Sequence, residues 1–268
     1  TADVSDLAGN INADGFDANN SLTISIDTLP PTISVAINDG GDGFLNAAEE
    51  SSVTISGSTS GVTDGQTVSI NISSDAGGTP INSTATTTSN SYSLTGLDLS
   101  SLNDGTLSIT ADVSDLAGNS ATQASDTSNK DTSAPSISVA INDGGDGFLN
   151  AAEDSSVTIS GSTSDVQDGQ TVSINISSDA GGTPINSTAT VNSNSYSLTG
   201  LDLSSLNDGT LSITADVSDL AGNSAAQASV TSNKDSTPPT IALSSDSTSL
   251  KAGEIAILSF TLSESSTN

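Results

Sequence analysis

The chain has 268 residues with no Cys, His, Met or Trp, and it carries 32 acidic residues against three basic ones, a formal net charge of −29. Without thiol or imidazole it lacks the common nucleophiles and general bases of neutral-pH catalysis and the soft ligands of zinc, copper or iron, which points away from an enzyme. The charge repels nucleic acid and anionic membrane surfaces and makes folding costly unless cations are bound, and no apolar run nears the roughly 18 residues of a membrane span, so neither nucleic-acid binding nor direct membrane insertion is expected.

The chain opens in mid-pattern. Residues 2–10, "ADVSDLAGN", recur at 111–119 and 215–223, so residues 1–29 read as the last strands of a preceding repeat and the whole as an internal piece of a longer polypeptide. Pro31, Pro135 and Pro239 then mark a period of 104, and residues 31–134 match 135–238 at all but 11 positions. Such a period is that of self-sufficient domains rather than of a solenoid, which gives repeats at 30–134 and 135–238. Within the first repeat, Ile33, Val35 and Ile37 alternate with Ser and Ala. Val53 and Ile55 follow, then Val68, Ile70 and Ile72, then Tyr92 and Leu94, then Leu107, Ile109, Ala111 and Val113. The period of two predicts strands, with turns at "TDGQ", "DAGGTP", "SNS", "LNDG" and "LAGN" between them. Tyr92 and Tyr196 fall in the apolar phase and are expected in the core. Without any helical period, the expected fold is all-β: tandem immunoglobulin-like β-sandwiches, seven-stranded with Greek-key connections, arranged as a linear rod. Residues 239–268 read as the first strands of a following, diverged repeat.

The loop "NDGGDGFLNAAE" stands at 38–49 and again at 142–153. Counted from Asn38, Asp42 is fifth, Gly43 sixth, Asn46 ninth and Glu49 twelfth, the back half of an EF-hand calcium loop. Ca²⁺ takes six to eight hard oxygens, Gly permits the tight turn, and the last Glu can close the shell. The front half departs from that template: Asn38 stands in the first place, Gly40 leaves the third without a ligand, and Asp39 supplies an acid one place out of phase. The alternative is that Asp, Asn and Gly merely make turns.

Further acids accompany the loop: Asp112, Asp115 and Asn119 in "DVSDLAGN", and Asp131 in the linker. The candidate ligands of the first repeat are therefore Asp39, Asp42, Asn46, Glu49, Asp112, Asp115, Asn119 and Asp131. Those of the second are Asp143, Asp146, Asn150, Glu153, Asp216, Asp219, Asn223 and Asp235, and the opening segment adds Asp3, Asp6, Asn10 and Asp27. Asp112 faces away from the core by strand alternation, as a plain solvent-facing residue also would. Alternating strand directions put the first loop and the exit linker at one pole of a sandwich and the "DLAGN" turn at the other. Asp42, Glu49 and Asp131 of one repeat are thus expected to meet Asp219 and Asn223 of the next at a junction.

"DGFLNAAE", "ADVSDLAGNSA" and the linkers Asp27–Pro31, Asp131–Pro135 and Asp235–Pro239 make the chain resemble the tandem Ig-like extender domains of large secreted bacterial adhesins, of the RTX and biofilm-associated type. The resemblance covers nearly the whole chain. It implies calcium at domain junctions, export by a type I system, a bacterial cell-surface location, and a rod of neighbouring repeats that holds a distal adhesive domain toward an unidentified target. Two other functions compete: repeats that themselves bind a glycan, ice or a protein, which a clustered aromatic patch would favour, and a filament subunit assembled by strand donation.

Overall fold

Alternating β-branched residues and hydroxyls make strands, and every regular element among the described residues is one. The computed structural model of the chain describes residues 7–8 and 24–264, which divide into two units between Asp131 and Thr132. The expected strands of residues 1–23 lie outside the described residues, apart from Leu7 and Ala8.

In the first unit the order is β1 (Thr32–Ile33), β2 (Ala36–Asn38), β3 (Phe44–Leu45), β4 (Val53–Ser60), β5 (Thr67–Ser74), β6 (Ile81–Thr86), β7 (Ser91–Leu97), β8 (Gly105–Asp112) and β9 (Ala124–Lys130). One sheet pairs β1 and β2 with β4, and β4 with β7, all antiparallel. The other runs β3-β9-β8-β5-β6, in which the β3/β9 pairing is parallel. β1, β2 and β3 are thus one strand broken twice, beginning in one sheet and ending in the other, and the total is the seven strands expected. Between the sheets Ile55 and Tyr92 from one face Leu45, Val68, Ile72, Leu107 and Ile109 from the other, and each is buried. This is an immunoglobulin-like sandwich with a small aliphatic core.

The second unit repeats the plan with β10 (Ser136–Ile137), β11 (Ala140–Asn142), β12 (Phe148–Leu149), β13 (Val157–Ser164), β14 (Thr171–Ser178), β15 (Ile185–Thr190), β16 (Ser195–Leu201), β17 (Gly209–Asp216) and β18 (Ala228–Lys234). Its sheets have the same orders, and its core is the first one shifted by 104, except that Val191 joins it where the first unit has Thr87 and Ile141, the counterpart of Ile37, is only partly buried. β19 (Ile241–Ser245) and β20 (Leu258–Leu262) then form an exposed antiparallel hairpin, where a first pair of strands is expected.

Two strands carry little of the apolar alternation. β6 is an edge strand with only Ala85 fully buried. β9, "ASDTSNK", is polar on both faces, because its inward side chains meet the first strand and its loop rather than the aliphatic core. Asp126 Oδ2 accepts from Ile37 N at 2.9 Å, and Ser128 Oγ donates to Asp39 Oδ2 at 2.9 Å. Lys130 is only 5% exposed.

Gly57 explains the first break. It sits in β4 opposite Tyr92, whose hydroxyl donates to the Ser34 carbonyl at 2.6 Å. A Cβ at Gly57 would fall onto that carbonyl oxygen and within 2.7 Å of Tyr92 Oη. The second unit repeats this with Gly161, Tyr196 and Ser138. Burial raises both tyrosine pKa values to about 12, so the hydroxyls stay protonated donors. Gly57→Ala is expected to cost about 3 kcal/mol, the top of the usual overpacking range, since the obstruction is backbone. Urea denaturation checks this, and loss below about 1 kcal/mol would contradict the packing described.

Candidate functional site

The first loop is a run of side-chain caps on its own backbone. Asp39 Oδ1 accepts from Gly41 N at 3.1 Å, Asp42 Oδ1 from Phe44 N at 2.9 Å, Asn46 Oδ1 from Ala48 N at 2.9 Å, and Glu49 Oε2 from Asn46 N at 3.1 Å. Gly40 turns with φ 77°, and a Cβ there would stand 3.1 Å from Glu49 Oε1, so glycine keeps that carboxylate oxygen uncovered. Asp143, Asp146, Asn150 and Glu153 repeat these caps in the second loop. Parallel pairing ties each loop to the exit from its unit: Asp131 N donates to Leu45 O at 3.1 Å and Asp235 N to Leu149 O at 3.0 Å.

The "DLAGN" turn lies at the other end of the same sheet, since Gly105 pairs with Lys130 and Ala111 with Ala124. Asp115 is buried and accepts from both Asn119 N and Asn119 Nδ2 at 2.8 Å. Those bonds, the side-chain one foremost, hold its carboxyl below the usual range. Asn119 Nδ2 also donates to the Asp27 carbonyl at 3.1 Å, which joins the entering segment to this turn. Asp219 and Asn223 form the corresponding buried pair at 2.8 and 3.0 Å. Asp112 and Asp216 end their strands on the outer face of the sheet, held by Gln123 and Gln227.

Within a unit, then, Asp39, Asp42, Asn46, Glu49 and Asp131 share the exit end, while Asp115 and Asn119 share the entry end. Asp27 joins the entry end in the first unit. Among the described residues no three acidic side chains are gathered closely enough to hold a metal ion by themselves. Asp3, Asp6 and Asn10 lie outside the described residues.

Sequence reasoning missed the one cation of each repeat. Lys130 Nζ lies 2.8 Å from Glu50 Oε2 and 3.5 Å from Asp104 Oδ1, and it donates to Leu102 O at 2.8 Å. Lys234 Nζ lies 3.3 Å from Asp154 Oδ2 and 3.1 Å from Asp208 Oδ1, and it donates to Ser236 Oγ at 3.2 Å. Each ammonium thereby fastens the end of β9 or β18 to the first loop and to the turn before β8 or β17. The available signal was the spacing itself, one lysine per repeat just before the linker acid in a chain almost bare of cations.

The Ser236 hydroxyl first, with Thr237 and Lys234 beside it, holds the Asp208 carboxyl far below the usual carboxylate range. Burial pulls Lys234 down, but its bonds to Asp208 and Asp154 outweigh that and raise it. The depressed carboxylate contributes stability above its unfolded pKa of about 4, and loses it as pH falls through the folded value. The raised ammonium contributes below its unfolded value and loses it as pH rises through the folded one. Lys234→Met is therefore expected to destabilise the second unit by about 3 kcal/mol at pH 7, the low end for a broken buried pair because Asp208 keeps some contact with water. The difference from the parent should shrink below about pH 3, as the acids protonate. Urea titrations at both pH values check this, and an equal difference at both would contradict the ion-pair account.

No protein-family model and no curated protein matches the sequence. Among solved structures, the chain is similar to a tetra-tandem repeat in the extending region of a large adhesion protein, at 28% identity over 86% of this chain and 62% of that one, with a TM-score of 0.40. It is similar to a Ca²⁺-stabilized adhesin that helps an Antarctic bacterium reach out and bind ice, at 27% identity over 90% and 58%, TM-score 0.47. It is also similar to a 1.5-MDa bacterial ice-binding adhesin, at 21% identity over 81% and 70%, TM-score 0.48. The chain spans about three-fifths of the length of the first two. The three structures are of adhesins, the kind of protein that the chain's own motifs resemble.

Proposed function

We propose that the chain is a spacer module of a large secreted bacterial surface adhesin, its repeats joined end to end and stiffened by calcium, with a structural rather than catalytic role. One observation carries this reading. The chain enters the first unit at Asp27, beside Asn119, and leaves it at Asp131, at the opposite end of β8 and β9. A domain entered at one end and left at the other adds its strand length to its neighbours. The eight residues of β8 span about 26 Å at about 3.3 Å each.

The donor set suits a hard divalent cation: carboxylate, amide and carbonyl oxygens, with no nitrogen or sulfur ligand in the chain. Asp39, Asp42, Asn46, Glu49 and Asp131 at the exit end, and Asp27, Asp112, Asp115 and Asn119 at the entry end, would hold it. Their counterparts are Asp143, Asp146, Asn150, Glu153 and Asp235, with Asp216, Asp219 and Asn223. Asp3, Asp6 and Asn10 would serve the preceding repeat. The ion supplies positive charge where linker and loop acids repel one another. Extracellular calcium modules have Kd near 10⁻⁴ to 10⁻³ M, so such a chain would stay loose in the cytoplasm and tighten after export to the cell surface.

Calcium at about 100 times Kd should stabilise each site by about 2.7 kcal/mol. Thermal melting of the full chain in calcium and in chelator is the test, and coincident curves would remove calcium from this reading. Glu49→Ala with Glu153→Ala should abolish most of the calcium response. Asp126→Ala should leave that response intact while lowering stability in both conditions, because it frees Ile37 N.

A further inference from the structure

We infer that the outer face of the five-stranded sheet in each repeat is a subsite for neutral saccharide. In a molecule of net charge −29 this face is almost uncharged. Its central strands β5 and β8 present hydroxyls and amides, and β14 and β17 repeat them. At the same place in both units the face sinks into a shallow depression of about 600 Å³ in the first and about 630 Å³ in the second. The first is lined by Ser69, Asn71, Asn82, Thr84 and Asp112, and the second by the same residues 104 positions on.

The chemistry is that of polyol recognition. Asn71 Nδ2 donates to Asn82 Oδ1 at 2.8 Å, and Asn175 repeats the bond to Asn186 at 2.8 Å. Each amide pair therefore keeps one carbonyl oxygen and three N–H groups without a protein partner. That leaves an acceptor and a donor side by side, whichever way the two amides are turned. A vicinal diol offers the complementary donor and acceptor. Ser69 lies one row away in register with both Thr84 and Asp112. The grid spacing is about 4.8 Å across strands and about 6.6 Å along them, so further hydroxyls of the same sugar come within reach. At the rim Gln123 donates to Asp112 Oδ2 and Gln227 to both carboxylate oxygens of Asp216, and with about four lone-pair sites each carboxylate remains a charged acceptor.

The aromatic residues of this face, Phe44 in β3 and Phe148 in β12, stand on the edge strand opposite the depression, so no ring stacks on a sugar there; a single subsite is weak, and the repeat supplies the strength. Two equal sites on one chain gain avidity on a polymer that neither has on a monosaccharide. An anionic polysaccharide is disfavoured by the charge of the chain.

Native electrophoresis of the full chain through gels containing dextran, mannan, xylan or galactomannan, with alginate as the anionic control, tests this. Retardation in at least one neutral gel and none in alginate is expected. Asn71→Ala with Asn82→Ala should weaken retardation at least about tenfold, and adding Asn175→Ala with Asn186→Ala should abolish it. Ser69→Arg with Ser173→Arg fills the depressions without touching the amides and should abolish it independently. Mobility unchanged in every neutral gel, or retardation that survives either set of substitutions in a folded chain, would overturn the assignment. Calcium need not be varied, so failure here leaves the spacer reading standing.

Discussion

Everything at the exit end of each repeat depends on one buried ammonium. A charge out of water must be paired, and Lys130, 5% exposed, has two carboxylates and a carbonyl around it. Those partners come from two parts of the chain far apart in sequence: Glu50, just after the first loop, and Leu102 with Asp104 in the connection from β7 to β8. Without the cation, the acids of loop and turn would repel one another where the linker departs. The lysine thus does, from within the domain, what an ion would do from outside it, and it explains how a sandwich with so modest a core holds its acidic end together.

The column beside the lysine shows how that end is organised. β9 directs Asp126, Ser128 and Lys130 inward, and each takes a partner on the first strand or its loop. Polar side chains do here what aliphatic ones do between the other strands, and they fix the parallel register of β3 on β9. The second repeat tests the scheme by substitution. Val230 replaces Asp126 and packs against the core instead, while Ser232 keeps its bond to Asp143 at 2.9 Å. Asp154 replaces Glu50, and the lysine engages Asp208 and Ser236 besides. The contact survives the loss of a methylene because the ammonium has three donors and several acceptors in reach.

What the sequence disclosed was set by periodicity. The aliphatic strands were legible because their inward faces meet a dry core, and Tyr92 because it keeps their phase. The opposite placement of the first loop and the "DLAGN" turn was legible from strand alternation alone. β9 was not, because an inward Ser or Lys looks the same in sequence as an outward one. The two repeats also differ at Thr87 and Val191, both 1% exposed. Thr87 Oγ1 donates to the Thr63 carbonyl at 2.9 Å, so a polar residue fits a position that pattern would assign to an aliphatic one. The loop acids were legible as a cluster but not in their role, since a carboxylate that caps a turn and one that binds an ion require the same letters.

These two roles need not exclude each other. Asp39, Asp42 and Glu49 each use an oxygen to hold the loop's own N–H groups, and a carboxylate has about four lone-pair sites. Caps that fix the backbone also fix where the remaining lone pairs point, which would reduce the ordering required of the proposed cation site. Gly40 adds to this by keeping Glu49 Oε1 uncovered, and Gly144 does so for Glu153. A loop built this way is shaped before any ion is present. The remaining cost is electrostatic, the repulsion among its acids, and the proposed divalent cation would relieve that most where the linker acid joins them.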